Sequence, residues 1–148
     1  MNYRTPALPG KIAIPEGIGQ ELTEREKLEK LAVQGVVGSL PERLVWAWLL
    51  RSGLMFSAQQ SEFGGRRMQG GLILDFIVYG IAAYPVAIRV QGDYWHGPAA
   101  PGAPHRDDDS AARLRAGGYL VLDLWEGDVY AAALGEGIGL LVMRELAR

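Results

Sequence analysis

Asp75 is the residue whose type and setting first suggest chemistry. It interrupts an apolar run, with Leu72-Ile73-Leu74 before it and Phe76-Ile77-Val78 after it. An ionised carboxylate in such a run is costly unless it is paired or binds a cation. A hard cation such as Mg2+ is held by one or two carboxylates, with water and phosphate oxygens completing its shell. The plainer alternative is an Asp at a strand end, facing solvent. A second cluster is Ile88-Arg89-Val90-Gln91-Gly92-Asp93-Tyr94-Trp95-His96-Gly97. There an apolar β-run ends in a glycine turn and then presents aromatic rings and a histidine. Trp95 suits either stacking on a nucleic-acid base or capping the core. Arg66 and Arg67, in the glycine-flanked stretch SEFGGRRMQGG, suit either gripping phosphates as forks or lying in a solvated turn. Asp107, Asp108 and Asp109 beside His105 have the composition of a metal cluster. Acids at the start of a helix, where the dipole favours them, explain them more simply.

The elements that must position these residues follow from pattern and punctuation. Thr23 and Glu26 form a capping box, so a helix is predicted over Thr23 to Gln34, ended by Gly35 and Gly38. A second helix is predicted over Ser39 to Arg51. Ser39 caps it, Pro41 sits in its first turn and Glu42 completes the box. Glu42 is thereby explained as a cap before any chemistry is asked of it. Strands are predicted at Leu54 to Gln60, Leu72 to Tyr79, Tyr84 to Gln91 and Tyr119 to Trp125. A helix is predicted over Asp107 to Ala116, and a terminal helix over Asp128 to Leu146, weakened by Gly135, Gly137 and Gly139. Helix, three strands, helix, strand, helix is the order of an α/β fold with a mixed sheet of about four strands flanked by helices. Residues 1–22, rich in proline and glycine, read as an extended arm with no core of its own. Such an arm is expected to lie on something, a protein partner or a second copy in a homo-oligomer.

Composition bounds the rest. The chain has 148 residues, 49% of them hydrophobic and 22% charged, which suits one domain with a real core. It contains no cysteine, so disulfides and thiolate metal sites are excluded. Charged residues, glycine or proline interrupt every apolar run before it reaches the length of a membrane span. The opening MNYRTPALPG lacks the apolar core of a signal peptide, and a cytoplasmic or virion setting is expected. The formal charge of −2 argues against a protein coated in positive charge. Yet only Lys11, Lys27 and Lys30 are lysines. The remaining cations are arginines, the better phosphate forks.

Taken together, Glu42 on a helix, Asp75-Phe76 on a strand, IRVQGDYWHG on the next, and then RDDDSAARLRAGGYLVLDLWEGDV resemble the PD-(D/E)XK nuclease superfamily. The nearest likeness is to very-short-patch-repair (Vsr-like) endonucleases and related uncharacterised domains. The resemblance covers roughly residues 39–147. It implies a restriction-endonuclease-like central sheet in a domain of residues 39–148, preceded by an arm and helix in residues 1–38. It further implies Mg2+-dependent hydrolysis of DNA phosphodiesters. Asp75 and the backbone carbonyl of Val90 would hold the metal, with Gln91, His96 and Glu42 assisting as catalytic residues. Arg66, Arg67, Arg89 and Trp95 would meet nucleic acid. The sequence departs from the pattern where many relatives carry an acid at position 89 and Asp or Glu at position 91. An Arg in place of an acid opposes cation binding at close range. The alternative expectation is therefore a nuclease fold without catalysis, serving as a structural or DNA-contacting part of a larger assembly such as a phage particle. A small-molecule enzyme using His96 and the Asp107 to Asp109 cluster is a third option, supported only by proximity.

Overall fold

The computed structural model describes residues 21–61, 73–92 and 111–148. Their order is α1 (Glu24–Leu31), α2 (Leu40–Ser52), β1 (Met55–Ser61), β2 (Ile73–Tyr79), β3 (Val86–Gln91), helical residues 111–116 (α3), β4 (Leu120–Trp125), α4 (Glu126–Leu134) and α5 (Ile138–Leu146). The strands form one sheet in the order β1-β2-β3-β4. β1–β2 and β2–β3 are antiparallel, and β3–β4 is parallel. The parallel pair demands a crossover, and the chain between β3 and β4, which includes α3, supplies it. The protein is thus mixed α/β, a four-stranded mixed sheet flanked by helices.

Alternation along the strands divides the sheet into two unlike faces. Leu74, Phe76 and Val78 of β2, Val86, Ile88 and Val90 of β3, and Leu122 and Leu124 of β4 share one face. Onto it pack Leu44, Val45 and Leu49 of α2, Val129 and Ala132 of α4, and Ile138, Leu141 and Val142 of α5. Leu28 and Ala32 at α1 join the same core. Trp46 of α2 meets Phe76 edge-on, ring centroids 5.9 Å apart, a geometry worth about 1 kcal/mol beyond the area buried.

Both N-terminal helices start where their capping boxes place them. Thr23 and Ser39 each accept from the N–H three residues on, while Glu26 and Glu42 accept from the caps' own N–H groups. α2 ends at Gly53, in the left-handed region at φ 75°. Several boundaries differ from the sequence reading, most by one or two residues, and three of the differences have a local cause. α1 stops at Leu31, because the backbone of Ala32 is already extended and its N–H closes the last turn on Leu28 and Glu29. β3 begins at Val86, after a bend over residues 80–84. The terminal helix is two helices, parted at Gly135 to Gly137, where Gly137 takes φ 104° and its N–H returns to the carbonyl of Ala132. Gly139, by contrast, stays helical beside the ring of Trp48.

Candidate active site at the fork between β2 and β3

The second face carries polar groups at the centre of the sheet. Register places Gln59, Asp75, Arg89 and Asp123 directly opposite one another, one per strand, in a single row across all four strands. Side chains in register share a face and stand within reach of their neighbours. Asp75 is 3% exposed and Arg89 4%, buried alongside Ile77 and Ala87 of the same face.

The row lies at a fork. β2 and β3 pair only from Asp75 to Val78 and from Val86 to Arg89. Beyond that point β2 continues with β1 alone, to Ile73, and β3 with β4 alone, to Gln91. Glu42 serves the β2 side of the fork. One of its oxygens accepts from Ser39 N–H at 2.8 Å, and the other from Leu74 N–H at 3.1 Å, across 32 residues of sequence. A single buried carboxylate thus caps α2 and ties it to the residue preceding Asp75. Burial raises the pKa of Glu42, opposed by those hydrogen bonds from Ser39 and Leu74.

On the β3 side, Arg89 turns to Asp123. Its Nε donates to Oδ1 at 2.7 Å and an Nη to Oδ2 at 3.0 Å, the two-point fork that a guanidinium makes best. Gln91 Nε2 donates to the same Oδ1 at 3.1 Å. Asp123 is half-buried, and its three acceptor contacts hold β3 and β4 together where β2 has left.

Asp75 keeps an unmet need. Its Oδ1 is buried and, among the described residues, accepts no hydrogen bond. Burial drives its carboxyl up to about 7 from the ordinary 3.8. The Arg89 charge opposes this, and the Glu42 and Asp123 charges reinforce it. An oxygen that is buried, electron-rich and without a donor is a ligand atom in want of a cation or a proton. Among the described residues no three His, Cys, Asp or Glu side chains gather as a metal cage. Mg2+ does not require one, since it keeps several waters and substrate oxygens around one or two carboxylates. The described donor set therefore fits a single cation held at one carboxylate, not a closed protein cage.

The expected site residues divide accordingly. Asp75, Glu42, Arg89 and Gln91 come together at the fork. Val90 lies between Arg89 and Gln91 with its side chain on the core face. Arg89, expected to meet nucleic acid, has its guanidinium engaged by Asp123 and its side chain 5% exposed. His96, Trp95, Arg66, Arg67, His105, Asp107, Asp108, Asp109 and residues 1–20 of the arm lie outside the described residues. Asp123 is the residue that sequence reasoning missed. Its signal was present, because it interrupts Leu120-Val121-Leu122 and Leu124 just as Asp75 interrupts its own strand. No helix among the described residues is long and apolar enough to cross a membrane. No family model, curated protein or solved structure compared with the chain matches it.

Proposed function

We propose that the protein is a Mg2+-dependent DNA endonuclease of Vsr-like, PD-(D/E)XK type, hydrolysing phosphodiesters. The observation that carries this reading is the buried, donorless Oδ1 of Asp75 at a fork in a mixed four-stranded sheet. A carboxylate placed there at a cost of stability is accounted for if a cation meets it when the protein works. The cation would neutralise a phosphate and lower the pKa of a bound water for in-line attack. Asp75 would hold it, and the carbonyl of Val90 would be the second ligand that the resemblance implies. Glu42 fixes the β2 side of the fork through Leu74 N–H. Gln91 stands at the end of the site strand, beside Asp123. His96, as the resemblance implies, assists hydrolysis from the segment that follows. DNA is the partner of this reading, with Arg66, Arg67 and Trp95 as its proposed contacts. Residues 1–22 are the proposed contact with a second chain. A cytoplasmic or virion setting suits both.

A second reading has its own support. Arg89 brings a positive charge between two acids of the row, and it already engages one of them. A nuclease fold whose acids are neutralised from within has less need of a metal. It would serve instead as a structural or DNA-contacting component of a larger assembly. One assay separates the two. The full chain is incubated with Mg2+ or Mn2+ and plain, nicked, mismatched and branched DNA, alongside Asp75→Ala. Cleavage that the substitution abolishes supports the endonuclease. A folded wild-type chain that cleaves none of these substrates refutes it and favours the second reading.

A further inference from the structure

Arg89 stands in register between two carboxylates, Asp75 on β2 and Asp123 on β4. A guanidinium in that position has a carboxylate on either side of it in register. It gives Nε and an Nη to Asp123, and among the described residues nothing donates to Asp75 Oδ1. Gln91, two residues on and on the same face, donates its amide to the same oxygen of Asp123. Asp123 thus draws two neighbouring β3 side chains toward β4. The opposite choice would place the guanidinium on Asp75, where its charge would exclude a metal ion.

We propose that Asp123 is a positioning residue of the candidate site: by clamping Arg89 against β4 it keeps the guanidinium off Asp75 and leaves the buried Asp75 Oδ1 without a donor, for a divalent cation to meet. The inference rests on the metal-dependent reading given above. It also changes the meaning of Arg89. An arginine in place of an acid on the site strand does not by itself close the site if β4 supplies an acid to hold it aside. A carboxylate at position 123 then becomes the companion that an arginine at position 89 requires.

The test is Mn2+ titrated into the full chain without DNA, followed by water-proton relaxation. The variants are Asp123→Ala, the isosteric Asp123→Asn, Asp75→Asn, Arg89→Gln, and Arg89→Gln combined with Asp123→Ala. Thermal melts confirm that each is folded. Wild type is expected to bind Mn2+, and Asp75→Asn to lose it. Both Asp123 variants are expected to weaken binding by roughly tenfold or more, since the released guanidinium competes for the same carboxylate. The double variant is expected to regain wild-type binding, because the guanidinium that would close on Asp75 is gone. Unchanged affinity in both Asp123 variants would overturn the proposal. So would much tighter binding by Arg89→Gln alone, which would show that the clamped guanidinium already blocks the site. A crystal structure of an Asp123 variant reads the position of Arg89 independently of any metal. Arg89 is expected on Asp75 there, and a guanidinium that stays against β4 would overturn the proposal. If wild type binds no Mn2+ while Arg89 does swing in that structure, the metal-dependent reading fails and the positioning by Asp123 stands.

Discussion

Replacing Asp75 with asparagine should stabilise the protein, and increasingly so as pH rises. The carboxyl titrates near 7 in the folded chain, against an ordinary 3.8. Between those values the folded state holds a proton that the unfolded state has released. Stability therefore falls with rising pH, by about 1.4 kcal/mol per pH unit at the steepest. The favourable contribution is fully present below about pH 4, and it is lost once pH has risen through about 7. Over that window a rise from 3.8 to about 7 corresponds to about 4 kcal/mol. Asparagine keeps the shape of the protonated carboxyl and cannot ionise. The difference between Asp75→Asn and wild type should thus be small at pH 4 and grow to about 4 kcal/mol in favour of the variant by pH 8. Urea unfolding followed by tryptophan fluorescence, at half-unit pH steps and with chelator present, measures it. Glu42, whose pKa is also raised, is present in both proteins, so only its charge interaction with Asp75 enters the difference. A difference that stays flat from pH 4 to 8 would refute the reasoning. One that grows as pH falls would show that Arg89 holds Asp75 ionised in spite of its burial.

Two further substitutions probe the supports of the site. Glu42→Ala removes the acceptor of both Ser39 N–H and Leu74 N–H, and it should cost about 2–4 kcal/mol in urea unfolding, with Glu42→Gln costing less. Gly137→Ala meets open space but keeps φ 104°, so it should cost about 1–2 kcal/mol by backbone strain alone, read as a lower melting temperature.

Local chemistry made much of this molecule legible before any coordinates. The start of α2 is written in Ser39, Pro41 and Glu42, and its end in Gly53, all within a few residues of the boundaries they set. Asp75 stood out because its six nearest neighbours in β2 and just before it are apolar. What stayed hidden depended on register. Nothing near Arg89 in the chain says that it meets a carboxylate 34 residues away on a parallel strand, so the expectation weighed only its charge against a cation. Glu42 was read either as a cap or as a site residue, but the bond from Leu74 N–H shows one side chain ordering both the helix and the strand that carries Asp75. The single terminal helix failed for a subtler reason. Three glycines were visible there, and only their backbone angles distinguish Gly137, which breaks the helix, from Gly139, which continues it.

The row from Gln59 to Asp123 also protects the pairing of the strands. A strand repeats every two residues, so a slip of one position exchanges its faces. For β2 such a slip would carry Asp75 into the space of Phe76 and turn Phe76 outward. For β3 it would bury the guanidinium of Arg89 among Leu124, Val129 and their neighbours. An unpaired polar group placed in an apolar core costs several kcal/mol, and a charge costs more, so each such slip is penalised at the strand that makes it. Residues that make the correct sheet less stable than an all-apolar one therefore widen the gap between it and its nearest competitors. An Asp75, Arg89 and Asp123 triple replacement by aliphatic residues would gain apolar surface on this face, and in the same stroke lose the mark that tells one side of the sheet from the other.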